Sequence, residues 1–380
     1  MKKKILITCT DSMMKQFLEP HVIHLVSAGY DVEIACSEVL SRMEEVRNDL
    51  GSLVKIRQVH LKRSPAALSN LKGYRELKTI IDRGAYDLIW TNEPVMGVMT
   101  RLAARKARKK GAAVLYMVHG FHFYKGAPLI NWLIYYPVEK VMASRADMIC
   151  TINREDLGRA QRMRTAKTAY IHGVGIDTQR LRPSGQAADL RKEFGLPEDA
   201  FLVLSVGELN RNKNQQAVIR AVAELRDPKI HYILCGKGDQ REGLEQLAEQ
   251  LGISGQVHFA GYRKDVPDLY RQCDVFAMPS KREGLPLASL EAMYCGLPLV
   301  NSGIRGLADI TEDGISGYTA EPGLVSAFAE GIRKLREDPE LRKRMSDHNR
   351  ETAVPFCIEN TVTEVEGLVR TLTGRTGGES

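Results

Sequence analysis

The sequence predicts an α/β protein built from two doubly wound, Rossmann-like domains. Two successive series of short apolar segments rich in Val and Ile are separated by longer amphipathic stretches, a pattern typical of parallel sheets covered by helices on both faces. The chain has 380 residues, of which 43% are hydrophobic and 27% charged. This length exceeds one ordinary core and is enough for two.

The first series predicts five buried strands, and the second series predicts five more. The first five are Ile5–Thr8, Val32–Cys36, Leu88–Thr91, Val114–Val118 and Met148–Ile152. The second five are Phe201–Val206, His231–Cys235, Val257–Ala260, Val275–Met278 and Leu299–Asn301. A stretch with Gly and Pro at 173–185 separates the two series, so we predict domains at 1–178 and 179–357, and expect a helix at 358–372 to complete the first domain.

Ligand sites of open parallel sheets lie at the carboxyl ends of the strands, so a cleft between the domains is the expected site.

No apolar run reaches the length of a membrane-spanning helix, and residues 1–7 lead into a strand pattern without a signal-peptide core. We therefore expect a cytoplasmic protein. Its seven cysteines are odd in number and widely spaced, which argues against a disulfide framework and against a zinc site.

Charge is divided unevenly along the chain. Residues 1–180 hold 29 Lys and Arg against 17 Asp and Glu, whereas residues 181–380 hold 25 against 30, so the halves carry +12 and −5. A basic half indicates an anionic partner such as nucleic acid, a membrane surface or a phosphorylated acceptor, or it serves solubility alone.

The segment 279–293 combines two carboxylates with the start of a helix. Pro286 lies near the first helical position, where its missing N–H is tolerated. The helix start presents free amides and a positive dipole end to a diphosphate, and Gly284 permits a close approach. Glu283 precedes the helix within reach of sugar hydroxyls, and Glu291 lies further along as an acceptor for ribose hydroxyls. Without this context, two glutamates at such spacing are typical of a solvated helix face.

With this motif the sequence resembles the retaining glycosyltransferases of glycosyltransferase family 4, whose GT-B fold has two Rossmann-like domains facing a central cleft. Residues 283–291 match the family's Glu-x7-Glu motif, and the resemblance covers nearly the whole chain. Further matching segments are 207–214, 236–239, 261–266 and 304–309. The resemblance implies transfer of a hexose or N-acetylhexosamine from a nucleotide-diphosphate sugar, with a UDP-sugar as the expected donor, and retention of anomeric configuration.

The resemblance also implies roles for individual residues. Lys213 would bind the donor diphosphate, Glu283 the donor sugar and Glu291 the ribose. Tyr262 and Arg263 would flank the base. The remaining implied donor-binding residues are Gly207, Gly284, Leu285, Pro286 and Leu287. Glu208 departs from the family pattern, which often has arginine there, and Arg211 is the candidate for the missing charge, with a solvated loop as the alternative.

His119 follows a predicted buried strand and is implied to contact the donor sugar near the anomeric centre, with a structural hydrogen bond as the alternative role.

The sequence has no Asp-x-Asp candidate for a metal, so Lys213, Arg211 and the helix start are expected to stabilise the departing diphosphate. We therefore predict a metal-independent enzyme without a cofactor. Glu283 as a nucleophile is disfavoured, because no second carboxylate is evident as its acid/base partner.

The acceptor side is predicted in the first domain. Residues 8–15 lack Gly-x-Gly-x-x-Gly, which argues against a dehydrogenase. By resemblance this loop borders the acceptor, so Asp11, Ser12 and Lys15 are candidates, with helix capping as the alternative for the first two. The segments 119–123 and 135–140 resemble a bacterial subgroup that extends polyprenyl-diphosphate-linked saccharides for surface glycans.

That resemblance implies a lipid-linked saccharide acceptor and a peripheral location on the inner face of the cell membrane. A basic helix at 101–110 and an aromatic, amphipathic stretch at 121–137 favour docking on an anionic leaflet, with a solvated helix and a buried helix as the alternatives. Two rival functions remain open, a GT-B-like sugar-nucleotide epimerase and an inactive nucleotide-binding scaffold. Nucleic acid is not an expected partner, because no recognition module is present.

Overall fold

A computed structural model describes residues 2–183 and 189–374. The chain divides into two compact units, one formed by residues up to Gly175 together with those from Ile358, and one formed by Ile176–Cys357. Part of the predicted join, residues 184 and 185, lies outside the described residues. Each unit is described by itself below.

The first unit contains a parallel sheet of seven strands. They are β1 Lys4–Thr10, β2 Asp31–Ser37, β3 Lys55–Val59, β4 Leu88–Asn92, β5 Ala113–Val118, β6 Met148–Thr151 and β7 Lys167–Tyr170. Their order is β3-β2-β1-β4-β5-β6-β7, so the winding reverses between β1 and β4. Ile7 of β1 pairs with Ile34 on one side and Trp90 on the other, which places three apolar side chains in the centre of the sheet. This reversal is where ligands bind in doubly wound sheets.

Helices connect these strands on both faces of the sheet. They are α1 Asp11–Met13, α2 Glu19–Ser27, α3 Met43–Leu50, α4 Ser69–Gly84, α5 Pro94–Ala103, α6 Arg105–Lys109, α7 Leu129–Ala143 and α8 Arg154–Ala160. A π-helical turn at Met14–Leu18 joins α1 to α2. One core of this unit lies between the sheet and α4, α5 and α7, with Leu6, Leu77 and Tyr116 among its members.

The predicted basic helix at 101–110 is corrected in two respects. It is interrupted at Ala104 between α5 and α6, and Arg101 is 0% exposed rather than part of a basic face. The Arg101 guanidinium donates to Glu139 of α7 at 2.8 Å and lies 4.0 Å from the Tyr116 ring centroid. A buried arginine needs such a partner, so this residue joins α5 to α7 instead of facing a partner molecule.

The second unit contains a parallel sheet of six strands. They are β8 Phe201–Val206, β9 Ile230–Cys235, β10 Val257–Gly261, β11 Val275–Met278, β12 Leu299–Ser302 and β13 Gly317–Ala320, in the order β10-β9-β8-β11-β12-β13. Its helices are α9 Leu190–Phe194, α10 Gln216–Leu225, α11 Arg241–Gln250, α12 Val266–Gln272, α13 Leu287–Tyr294, α14 Val325–Glu337 and α15 Pro339–Thr352. Short 3-10 turns occur at Ser254–Gln256 and Val354–Phe356. The winding reverses between β8 and β11.

The last helix, α16 Ile358–Thr373, belongs to the first unit. It is attached there by polar contacts: Glu366 lies 2.8 Å from His24 of α2, and Glu364 accepts the backbone N–H of His172 at 2.9 Å. Within the described ranges no helix is both long and apolar enough to cross a membrane. Two parallel sheets with helices on their faces confirm the predicted α/β class.

Candidate functional site

The loop after β8 positions a lysine at the carboxyl edge of the second sheet. The Asn210 side-chain oxygen accepts the backbone N–H groups of Asn212 at 3.0 Å and Lys213 at 2.9 Å, which closes a tight turn. Asn214 has a φ of 56° and donates its side-chain amide to the Pro279 carbonyl at 3.1 Å. The loop after β8 is thereby attached to the loop after β11.

Lys213 and Glu283 form an ion pair between these two loops. The distance from Nζ to Oε1 is 2.8 Å, and the side chains are 21% and 13% exposed. Gly207 at the end of β8 has a φ of 150°, a conformation that favours glycine, and a Cβ there would lie 3.4 Å from Cε of Lys213. The lysine is therefore held against the loop by a carboxylate while part of its ammonium group remains accessible.

Arg305, after β12, is a residue to which the sequence analysis assigned no role. Its Nε donates to the backbone carbonyl of Glu283 at 3.0 Å, and its side chain is buried. Gly306 has a φ of 77°, and a Cβ there would lie 2.1 Å from the Gly284 carbonyl oxygen, so only glycine allows the two loops to meet. In the sequence, an Arg-Gly pair shortly after a buried strand is the only local sign of this contact.

The helix α13 begins at Leu287, with Pro286 in the preceding N-cap position. Pro286 has no side chain that accepts a hydrogen bond, so it leaves the first amides of the helix uncapped. Among the described residues, no acceptor is found for the backbone N–H groups of Leu287, Ala288 and Ser289. The first helical bond is donated by the N–H of Leu290 to the Pro286 carbonyl at 3.3 Å. This helix start can therefore bind an anion.

Glu291 lies one turn along α13 from this start. Burial raises the pKa of Glu291 above its ordinary value, and the hydrogen bond from the Tyr270 hydroxyl, 3.0 Å from Oε2, acts in the opposite direction. A carboxylate has about four acceptor positions, so Glu291 can accept further hydroxyl donors. Its chemistry matches the predicted hydrogen bonds to ribose.

The predicted base-flanking residues differ in their surroundings. Tyr262 is 70% exposed. Arg263 donates to Asp265 at 2.7 and 2.8 Å and to Glu193 of α9 at 2.7 and 2.8 Å, and the bond to Asp265 is the largest cause of the raised pKa of Arg263. Arg211 is exposed, and no hydrogen bond or ion pair of its side chain occurs in the part of the chain that the structure describes. Arg211 is available to a ligand, whereas Arg263 already holds two elements together.

His119 follows β5 in the first unit. Its Nε2 lies 2.9 Å from Oδ1 of Asn92, whose side-chain amide points to the Thr8 carbonyl at 3.4 Å. Because that Oδ1 can only accept, Nε2 carries the proton and Nδ1 remains an acceptor. Burial, with a smaller contribution from His21, lowers the pKa of His119 to about 4. The ring is therefore neutral at pH 7.

Asp11 accepts hydrogen bonds from four backbone amides. The donors are Ser12 at 2.8 Å, Val39 at 2.9 Å, Leu40 at 3.2 Å and Arg42 at 2.8 Å. Burial alone would raise the pKa of Asp11, but these donors outweigh burial and lower it. The carboxylate thus fixes the loop between β2 and α3 to the start of α1.

Ser12 and Lys15 are also engaged within the first unit. The Ser12 hydroxyl accepts from Arg63 at 2.7 Å, and Lys15 pairs with Glu19 at 2.9 Å and with Asp49. The N-cap of α1 is the preceding residue Thr10, not Asp11 or Ser12. An acceptor-side role for Asp11, Ser12 and Lys15 stays a prediction.

Two family models match the chain. The model of glycosyl transferases group 1 matches residues 186–352, and that of glycosyl transferase 4-like proteins matches residues 12–153. The first match includes the Lys213–Glu283 pair and all of α13. The second includes β2 to β6 and the loop that carries His119.

Curated relatives match over most of their length. The glycosyltransferase named EpsD of Bacillus subtilis (strain 168) is 38% identical over 375 residues, which cover 97% of this chain and 96% of the relative. The UDP-Gal:alpha-D-GlcNAc-diphosphoundecaprenol alpha-1,3-galactosyltransferase of Escherichia coli is 24% identical over 319 residues, which cover 80% of this chain and 81% of that protein.

A solved structure shares the fold at low sequence identity. HepE of Anabaena, crystallised in complex with UDP and glucose, has a TM-score of 0.76 and 19% identity, and the match covers 97% of this chain and all of that one. Similarity at this level concerns the fold alone, and it confirms the predicted GT-B class of two Rossmann-like domains.

Proposed function

This chain belongs to the group 1 glycosyl transferases, and we propose that it moves a hexose or N-acetylhexosamine from a UDP-sugar to a saccharide carried on a polyprenyl diphosphate. The proposed role of this transfer is the synthesis of a bacterial surface glycan. The observation that carries the proposal is the Lys213–Glu283 ion pair, 2.8 Å long, beside the uncapped start of α13. A cation, unpaired amides and two carboxylates spaced along one segment suit the phosphates and hydroxyls of a nucleotide sugar.

In this proposal the diphosphate binds at the start of α13. Departure of UDP places new negative charge on the leaving phosphate, and preorganised positive groups lower the cost of that charge. Lys213 and the amides of Leu287 to Ser289 supply them, and the exposed Arg211 adds a second cation. The enzyme then needs no metal ion, so transfer should persist in EDTA. Loss of transfer in EDTA with recovery in magnesium or manganese would contradict this.

The two carboxylates hold the two ends of the donor. Glu283 accepts hydroxyl hydrogens of the sugar, and Glu291 accepts those of the ribose, with Tyr262 and Arg263 beside the base. By resemblance to the retaining family, the acceptor oxygen attacks from the face that the phosphate leaves, its proton passes to an oxygen of the departing phosphate, and the configuration is retained. Glu283 is engaged in binding and is not the nucleophile. His119 enters as a neutral ring whose Nδ1 accepts from the donor sugar. A covalent glycosyl-enzyme trapped at Glu283 would replace this mechanism with a nucleophilic one.

The acceptor proposal is supported by the Escherichia coli relative, whose name specifies a UDP-sugar donor and a diphosphoundecaprenol acceptor. In the first unit, α7 exposes a row of apolar side chains; they include Leu129, Ile130, Leu133, Ile134, Val138 and Val141. Exposed basic residues of α6 lie in the same unit, and an apolar helix face with neighbouring cations favours an anionic leaflet. The loop of Asp11, Ser12 and Lys15 would border the acceptor.

Assays of binding, turnover and vesicle flotation test this function. A thermal-shift screen of nucleotide sugars with the full chain should give stabilisation by UDP-sugars, and transfer to a lipid-linked saccharide should be lost in Glu283→Ala. Turnover of a UDP-sugar alone into its epimer would identify an epimerase, and a Glu283→Ala variant as inert as the wild type would identify a scaffold. Flotation with vesicles containing phosphatidylglycerol at low salt tests docking, and no binding would overturn it.

A further inference from the structure

A pocket lies at the carboxyl edge of the first sheet, within the first unit. Its cavity volume is about 240 Å³, and it is lined by the ends of β1 and β2, by the loops after β3, β4 and β5, and by α5 and α7. The volume is below the roughly 300–1,000 Å³ of pockets for drug-sized ligands, so it suits a single small ring. Its lining includes Thr10, Arg63, Glu93, Met96, His122 and Tyr135.

Glu93 enters this pocket from a strained backbone position. Its φ of 66° and ψ of 153° lie in a region that essentially only glycine adopts. The following Pro94, which opens α5, normally favours a negative φ in the residue before it. Such outliers occur where the surrounding structure fixes a side chain that functions, and here the fixed group is a carboxylate.

The carboxylate of Glu93 has capacity for a further donor. It accepts the backbone N–H of Thr10 at 2.7 Å, the Thr10 hydroxyl at 3.0 Å and Arg63 at 3.3 Å. A carboxylate offers about four acceptor positions, and these three are the bonds found for it in the described ranges. Arg63 is about half exposed and bonds through Nη2 to Ser12 at 2.7 Å, so other N–H groups of its guanidinium remain for a ligand.

The opposite side of the pocket is aromatic and apolar. The rings of His122 and Tyr135 are stacked with centroids 4.6 Å apart at 30°, and Leu61 and Met96 add apolar surface. A pyranose ring presents apolar C–H faces and a rim of hydroxyls, so it matches aromatic walls combined with a carboxylate and a guanidinium. A phosphate would be repelled by Glu93, and a lipid tail would remove water from the charged pair without offering it any hydrogen bond.

From these features we infer that the pocket binds one sugar ring, with ring hydroxyls on Glu93 and Arg63 and a ring face against His122 or Tyr135. Resting on the proposed function, this ring is the terminal sugar of the acceptor. The Glu93–Arg63 pair then selects among acceptor sugars by the positions of their hydroxyls, since a site built for hydroxyl hydrogen bonds rejects a sugar that leaves them unpaired.

Saturation-transfer NMR with the full chain and methyl glucoside, methyl galactoside and methyl N-acetylglucosaminide tests the pocket. At least one glycoside should bind the wild type, and Glu93→Gln and Arg63→Met should each weaken it about tenfold, as expected when a charge-assisted hydrogen bond is lost. The exposed Glu44→Gln and Arg75→Met provide charge-matched controls and should bind like the wild type. If Glu93→Gln fails to fold, the half-exposed Arg63→Met decides.

Binding of UDP-glucose is measured on the same samples to separate the two proposals. The pocket is overturned if none of the three glycosides binds the wild type, or if both pocket variants bind them as well as the controls do. A wild type that binds a glycoside through Glu93 and Arg63 but no UDP-sugar would contradict the proposed function and support the pocket. UDP-glucose should bind the pocket variants with unchanged affinity.

Discussion

The carboxyl edges of the two sheets use their acidic residues in different ways. In the first unit, Asp11 accepts four backbone amides of its own chain and Glu93 accepts three further donors. In the second unit, Glu283 meets one lysine at 2.8 Å, beside a helix start whose first amides are uncapped. Similar topology therefore leaves the chemistry to the loops. At the first edge the carboxylates mainly brace the loops of their own unit, whereas the second edge keeps a row of uncapped backbone donors for an anion.

Loss of the lysine at the second edge should have the largest effect. In the proposed function Lys213 lies next to the departing phosphate, so Lys213→Met should lower the rate of transfer about 100- to 1,000-fold, as for loss of one transition-state donor. Steady-state kinetics with a UDP-sugar measure it. Lys229→Met, which removes the same charge just before β9 at the opposite edge, is the control. Equal rates for the two variants would show that Lys213 has no special part in transfer, and the second edge would lose its proposed role.

Loss of the brace at the first edge should change stability instead. Asp11→Asn removes the charge that four amides share, so the free energy of unfolding should fall by about 2–3 kcal/mol, with affinity for UDP-glucose unchanged. Urea unfolding followed by circular dichroism measures this, with the exposed Glu44→Gln as control. If Asp11→Asn keeps the stability of the wild type but loses affinity for the acceptor, Asp11 has a direct role in acceptor binding instead.

The raised pKa of Glu291 predicts a pH dependence. The proposed contact with ribose needs Glu291 as a carboxylate. Because burial raises the pKa of Glu291, its protonation begins at a higher pH than for an ordinary glutamate. Affinity for UDP-glucose should therefore be full above that pKa and decrease as the pH falls through it, by about tenfold overall. Glu291→Gln should be weak and flat with pH, and a Glu249→Gln control should follow the wild type. A pH profile that persists in Glu291→Gln would assign it to another group.

The smallest effect is expected at Lys15. Its pairs with Glu19 and Asp49 are partly exposed, so Lys15→Met should cost less than about 1 kcal/mol of stability. Since Lys15 is proposed only to border the acceptor, kcat should stay near that of the wild type. Thermal melting and the transfer assay check both. A selective rise in the acceptor KM would confirm the predicted acceptor-side role and weaken the contrast between the edges.

Much of the fold could be predicted from the sequence, because buried central strands have continuous apolar runs. The edge strands β3, β7 and β13 lack such runs and were not predicted. The assignment of Arg101 to a basic face was wrong. Its partner Glu139 lies 38 residues away, and only tertiary packing brings the two side chains together. Periodicity cannot report a contact of that kind.

The candidate site divides in the same way. Glu283, Glu291 and the helix start lie within one continuous segment, so their relation can be read locally. The bonds of Asp11 to Val39 and Arg42, of Arg305 to Glu283, and of Glu93 to Thr10 connect loops that follow different strands. These contacts depend on the strand order, in which β4 lies beside β1 and β12 beside β11. Sequence spacing alone does not reveal them.

Calorimetric titration of UDP-glucose into the full chain in EDTA tests the donor site most directly, with Lys213→Met and Glu291→Gln beside their controls Lys229→Met and Glu249→Gln. We expect binding by the wild type and both controls, and affinity about tenfold weaker in each of the other two variants. Absence of binding by the wild type, or equal affinity in all five proteins, would contradict the assignment of the second edge as the donor site.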